Sequence, residues 1–199
     1  MLRQTTARRR RFTVAAILLC LCAGMTTRAD EASAGVRTEY DIKAAFLYKF
    51  ALFVEWPAEA FAAGDSPFTI GILGDDPFGP RLEAVVGGKK VRGRPIRFRR
   101  FAAIEEALPG SCHLLFVSAS ERDRVNQIVA ALATSAILTV GDTADYTAAG
   151  VAINLFVRDR NMRFAINKAA AERNGLRISS QLLDLAVAPE ESKPRGGAP

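Results

Sequence analysis

Two adjacent carboxylates, Asp75 and Asp76, follow the apolar run "FTIGIL" in segment 68–79. Paired acids beside glycines are typical of a divalent-metal site, of a phosphate-binding loop or of a plain turn. In the turn interpretation, Asp76 precedes Pro77 and Asp75 accepts hydrogen bonds from nearby backbone N–H groups. The sequence favours the turn, and it leaves a metal-dependent hydrolase that uses Asp75 and Asp76 as a weaker alternative.

Other catalytic groups are sparse along the chain. His113 is the only histidine, and it lies inside an apparent strand next to Cys112. Neighbouring strand residues point to opposite faces, so these two cannot form a catalytic pair. The segment "GGKK" at 87–90 lacks the spacing and the hydroxyl residue of a nucleotide-binding loop. The residues therefore predict a non-catalytic protein without a cofactor, in which His113 has a structural role.

The elements that must position these residues alternate in type. Apolar runs predict strands near 67–73, 95–101, 112–117 and 136–140, with helical stretches between them. This alternation indicates βαβ units, and hence a three-layer α/β sandwich with a mostly parallel sheet and helices on both faces. The runs "VAINLFV" and "MRFAIN" flank the polar turn "RDRN" and predict an antiparallel hairpin at the C-terminal edge.

In such a sheet, ligands bind beyond the carboxyl ends of the parallel strands. Asp75, Asp76 and Ser118 all follow strand ends, so we expect them to share one rim that could hold a small ligand. Together with Lys168 they resemble the magnesium site of response-regulator receiver domains. The resemblance fails because Ser118 stands where a receiver has its phospho-accepting aspartate.

The first helix is unusually rich in large apolar residues. Thr38 and Asp41 resemble a capping box, helical spacing of apolar residues follows, and Trp56-Pro57 ends the helix. One buried stripe needs fewer apolar side chains than this helix carries. Either the helix is buried on several sides or it contacts a partner.

The N-terminus is typical of an export signal. A basic cluster at 8–11 precedes the apolar run 13–25, which is too short to span a bilayer of about 30 Å. We expect a signal peptide at 1–34, cleaved after residue 29 or 34, then a single domain at 35–187 and a disordered tail at 188–199.

Removal of residues 1–34 leaves 21 basic and 19 acidic residues, a net charge of +2. The apparent basicity of the chain therefore gives no support to nucleic-acid binding. Cys112 is the one cysteine that remains, so no intramolecular disulfide can form. The run "KKVRGRPIRFRR" at 89–100 predicts an edge strand with a charged, solvated face, or alternatively contact with anionic lipid headgroups.

An ordered set of motifs resembles one known family. The motifs are "KAAFLYKFALFVEWP", "FTIGILGDDPFG", "GRPI", "CHLLFVS", "LTVGD" and "NMRFAINKAAAERNGLRISSQLLDLA", and they span about residues 39–187. Together they resemble the YfiR/HmsC-like family of periplasmic proteins.

This resemblance implies a dimeric, non-catalytic repressor. Characterised family members look like proteins that bind the periplasmic domain of an inner-membrane diguanylate cyclase, and a lipoprotein associated with the outer membrane sequesters them. We expect contact with the cyclase through Leu47, Phe50 and Phe53 of the apolar first helix and through Trp56 next to it. A periplasmic small-molecule binding protein that uses the rim of Asp75, Asp76 and Ser118 is the main alternative.

Overall fold

The computed structural model describes residues 26–107 and 110–188, with side chains from Glu39 onward. The described part of the chain divides into two compact units, one that ends at Tyr40 and one that starts at Asp41. The described part of the first unit is helical backbone from Thr26 onward. The predicted signal peptide and C-terminal tail fall mostly outside the described residues.

In the described part of the chain, the helices are α1 (Thr26–Phe53), α2 (Arg81–Val86), α3 (Val125–Ala131), α4 (Tyr146–Ala149), α5 (Lys168–Arg173) and α6 (Ser180–Leu185). The strands are β1 (Val54–Glu55), β2 (Phe68–Leu73), β3 (Lys90–Val91), β4 (Arg94–Phe101), β5 (Leu114–Val117), β6 (Leu138–Gly141), β7 (Ile153–Arg158), β8 (Asn161–Ile166) and β9 (Arg177–Ile178). Short 3₁₀ helices span Ala58–Ala60, Ile104–Ala107 and Ala119–Arg124.

Seven strands form one sheet in the order β3-β4-β2-β5-β6-β7-β8. The four pairings from β4 across to β7 are parallel, whereas β3 and β8 pair antiparallel at the two edges. The predicted, mostly parallel sheet with a C-terminal hairpin is confirmed. A second sheet pairs β1 with β9, so that the end of α1 is tied to the C-terminal region.

Helices cover both faces of the large sheet. Residues paired across strands share a face, so Leu155 and Phe164 lie on one side, and the ring of Phe50 in α1 is 5.2 Å from that of Phe164. Val117 belongs to a buried cluster with Ile128 of α3 and Tyr146 of α4. Through the pairings with β6, Val117 shares a face with the residue that precedes Leu155. Val117 and Leu155 therefore point to opposite faces of the sheet. The predicted α/β sandwich is therefore confirmed.

The predicted start of α1 is wrong. Within the described residues the helix already runs from Thr26, so Thr38 and Asp41 lie inside it and form no capping box. The preceding segment "ADEASA" consists mainly of good helix formers, and these extend the helix towards the N-terminus through the proposed cap. The helix ends at Phe53, close to the predicted stop at Trp56-Pro57.

Candidate functional site

Asp76 forms the turn after β2. Its Oδ1 accepts hydrogen bonds from the N–H groups of Phe78 at 2.8 Å and Gly79 at 3.1 Å. Its Oδ2 lies 2.7 Å from Nε of Arg100 in β4, and that guanidinium also binds Glu83 of α2 at 3.0 Å. Both carboxylate oxygens therefore have protein partners, and the predicted turn role holds for Asp76.

Asp75 and Ser118 lie beside this turn at the carboxyl ends of β2 and β5. Asp75 is exposed, and its N–H donates to Oγ of Ser120 at 3.0 Å, so it is Asp76 rather than Asp75 whose carboxylate caps local amides. Ser118 is buried, and its carbonyl accepts a 2.8 Å hydrogen bond from the hydroxyl of Tyr146. Among the described residues, no group of three or more His, Cys, Asp or Glu side chains is arranged to hold a metal ion.

A buried ion pair at the same end of the sheet was not predicted. Nζ of Lys43 in α1 lies 2.7 Å from Oδ2 of Asp142, which follows β6, and the two side chains are 5% and 6% exposed. Lys43 sits on the helical stripe that includes Leu47 and Phe50, at spacings of four and seven residues. A lysine on an apolar stripe is the sequence pattern that could have predicted this ion pair. The buried pair anchors α1 to the carboxyl end of β6.

The first-helix residues proposed for partner contact divide into two groups. Leu47 and Phe50 are fully buried, because their stripe packs on the sheet, and neither offers a surface to a partner. This corrects the expectation for those two residues. Phe53 and Trp56 are partly exposed, and contact through them stays a prediction. The indole of Trp56 packs edge-on against Phe68 at 4.9 Å, so this side chain also has a structural role.

His113 lies in an aromatic stack at the amino end of β5. Its ring is sandwiched between Phe61 at 4.4 Å and Phe68 at 5.0 Å. Nδ1 accepts the N–H of Thr69 at 3.0 Å, and Nε2 lies 3.1 Å from the carbonyl of Ala60, which fixes the proton on Nε2. The predicted structural role of this residue is confirmed.

Stability should fall in mild acid because of His113. Desolvation lowers the pKa of His113, and the positive charge of Arg94 also lowers it. The unfolded chain then binds the proton more readily, so the free energy of unfolding decreases as pH falls below about 6.5, by at most about 1.4 kcal/mol per pH unit. Chemical denaturation of the wild type and His113→Gln between pH 7.5 and 5.5 tests this. The variant should lose part of the pH dependence, and equal slopes in the two proteins would contradict the assignment.

A cleft of about 370 Å³ opens at the amino ends of the strands, opposite the predicted ligand rim. Its walls include Glu59, Cys112, Ile137, Arg173 and Asn174. Burial raises the pKa of the Cys112 thiol to about 12, which keeps the sulfur protonated and unreactive at neutral pH. No sequence pattern indicates this cleft, because its walls come from four separate segments.

Three large apolar side chains of the described residues are exposed: Leu185 at 69%, Val157 at 52% and Ile42 at 42%. The N–H of Ser179, which precedes α6, donates to the carbonyl of Phe53 at the end of α1 at 3.0 Å, and Leu185 ends α6. Val187, two residues after Leu185, donates its N–H to the carbonyl of Phe164 in β8 at 3.0 Å. We call Phe53, Trp56 and Leu185, which lie at the ends of α1 and α6, the helix-end surface. Val157 lies near the turn of the β7–β8 hairpin.

A family model described as YfiR/HmsC-like matches residues 40–187. The chain belongs to the YfiR/HmsC-like family. The match covers the large sheet and the segments that carry the helix-end surface. The family match thus confirms the relationship that the motifs indicated.

Outside this family match, the similarity of the chain to known proteins is slight. No curated protein matches the chain. A crystal structure of a conserved domain protein from Vibrio cholerae O1 biovar El Tor is similar with 13% identity and a TM-score of 0.45. The match covers 60% of this chain and 54% of that one, so this chain spans about half the length of that structure. Within the described residues, no helix has the length and apolar character needed to cross a bilayer.

Proposed function

We propose that this protein is a periplasmic repressor that binds the periplasmic domain of an inner-membrane diguanylate cyclase. The observation that carries the proposal is the family match over residues 40–187. Repression would limit cyclic-di-GMP and biofilm formation, with a homodimer as the active form and an outer-membrane lipoprotein as the sequestering partner.

Such repression is a shift between two conformations of the cyclase, and it requires tighter binding to the inactive one. A difference in binding free energy of about 3 kcal/mol changes the active-to-inactive ratio about 150-fold. The helix-end surface is suited to this role because Leu185 is the most exposed large apolar side chain of the described residues. Large apolar side chains at a surface are typical anchors of protein interfaces.

Leu185→Glu should weaken cyclase binding about tenfold or more while the fold is kept, because a charge would be desolvated in the interface. Each membrane diguanylate cyclase of the host that has a periplasmic domain is expressed with the tagged protein, and co-purification is measured. Val157→Glu is the matched control, since Val157 is also exposed but lies on the hairpin. If Leu185→Glu still co-purifies with every cyclase that the wild type binds, the helix-end surface is not the cyclase-binding site.

The cleft at the amino ends of the strands favours a second candidate, a small-molecule binding protein. Its walls place the exposed charges of Glu59 and Arg173 beside apolar groups, which suits a small ligand that carries both charges. Melting temperatures measured across a set of zwitterionic metabolites test this candidate. A ligand-dependent increase without any membrane partner in the co-purification would favour it over the repressor.

A further inference from the structure

The outer edge of the large sheet is incompletely paired. The two-residue strand β3 covers only Arg94 and Pro95 of β4. From Ile96 to Phe101, β4 pairs with β2 on its inner side, and no described strand pairs with its outer side. Backbone N–H and C=O groups on an open edge are ready partners for another strand.

One hydrogen bond shows which backbone groups of β4 point towards β2 and which point outward. The carbonyl of Phe101 accepts the N–H of Gly74 on the β2 side at 3.1 Å. Backbone groups of alternate strand residues point to opposite edges, so Arg97 and Arg99 direct theirs towards β2. The N–H and C=O groups of Phe98 and Arg100, beyond the end of β3, therefore point outward and offer two donors and two acceptors.

A row of cations lines one face of the same edge. Arg97 and Arg99 project to one side of β4 because they are two residues apart, and Lys90 shares that side because it lies opposite Pro95. All three are exposed, and within the described residues none of them forms an ion pair. The guanidinium of Arg99 instead lies over the ring of Phe101 at 4.8 Å and reaches the carbonyl of Ser111 at 3.3 Å.

Arg100 differs from this row, since Asp76 and Glu83 neutralise it on the opposite face. The open edge thus combines unpaired backbone groups with a row of arginines that form no ion pair within the described residues. Successive arginines of this row are about 7 Å apart, which is twice the rise of one strand residue. An extended peptide with an acidic side chain at every second position matches both features. Main-chain hydrogen bonds supply affinity in such strand addition, and alternate side chains supply specificity.

We propose that the outer edge of β4 is a docking site for an acidic, extended protein segment, which binds by adding a strand to the sheet. The charge row selects the acidic segment, and Phe98 and Arg100 supply the main-chain hydrogen bonds. This interaction is separate from the helix-end surface and does not depend on the identity of the cyclase.

The probe is a blocked eight-residue peptide of alternating Glu and Val, titrated into the purified protein at low salt. We expect saturable binding, slower hydrogen exchange at the amides of Phe98 and Arg100, and a tenfold or greater loss of affinity in Arg97→Glu/Arg99→Glu. The matched control is Arg122→Glu/Arg163→Glu, which changes the net charge equally at exposed positions outside this edge. The same peptide N-methylated at alternate residues retains its charge but cannot pair, and it should bind at least tenfold more weakly.

Three results would overturn the proposal. Equal binding of the N-methylated peptide would show attraction by charge alone. Binding to phosphatidylglycerol vesicles without binding to the peptide would assign the row to a lipid surface. Absence of peptide binding would mean that the arginines only protect the edge against association.

Discussion

Leu47→Glu should prevent folding, whereas Leu185→Glu should leave the melting temperature almost unchanged. Leu47 is fully buried between α1 and the sheet, and Leu185 is 69% exposed at the end of α6. A carboxylate at position 47 would lose its hydration without a partner, and a buried unpaired charge costs several kcal/mol, a large part of a typical domain stability of about 5–15 kcal/mol. Far-UV circular dichroism with thermal melting of both variants measures this. A cooperative wild-type melt for Leu47→Glu would contradict the burial of this position.

The second large effect concerns the buried ion pair. Lys43→Met should destabilise the protein by about 3–5 kcal/mol, because Asp142 would keep a buried charge without its cation. The double variant Lys43→Met/Asp142→Leu should recover most of this loss, since an apolar pair of similar volume often replaces a buried ion pair at little cost. Urea denaturation of the single and double variants gives the coupling free energy. Losses that simply add would show that the two side chains act independently.

The sequence predicted the main elements wherever the hydrophobic period agrees with the turn and capping residues that bound each element. Strand β2 begins at Phe68, next to the predicted residue 67. Ser179 caps α6 through its hydroxyl, which accepts the N–H of Leu182 at 3.3 Å. These features depend on interactions between residues that are close in sequence, so the sequence of one segment is enough to predict them.

Features that depend on distant contacts could not be predicted. Strands β1 and β9 have two residues each, too few to show a period, and they exist because the end of α1 meets the C-terminal region. The amphipathic stretch at 121–133 predicts one helix, but Ala119–Arg124 is a 3₁₀ helix and α3 starts at Val125. Asp142 and Thr143 are residue types that often cap helices, but α4 begins after Asp145, and Asp142 binds Lys43 instead.

The candidate site shows the same division. Local turn chemistry predicted a turn at the acidic pair but assigned the amide hydrogen bonds to Asp75. Asp76 accepts them instead, from Phe78 and Gly79 two and three residues away. Exposure along α1 was harder to predict, because a helix with apolar residues on several sides does not reveal which side faces the sheet. Leu47 and Phe50 proved buried, whereas Phe53 remains partly exposed.

Cyclic-di-GMP in living cells tests the repressor proposal most directly. The nucleotide is quantified by mass spectrometry in the wild type, in a deletion of this gene, and in a deletion that also removes the cyclase identified by co-purification. The proposal predicts a rise in the single deletion, restoration by the wild-type gene but not by Leu185→Glu, and a return to the wild-type level in the double deletion. Unchanged cyclic-di-GMP in the single deletion, both at rest and under envelope stress, would contradict the proposal that this protein represses a diguanylate cyclase.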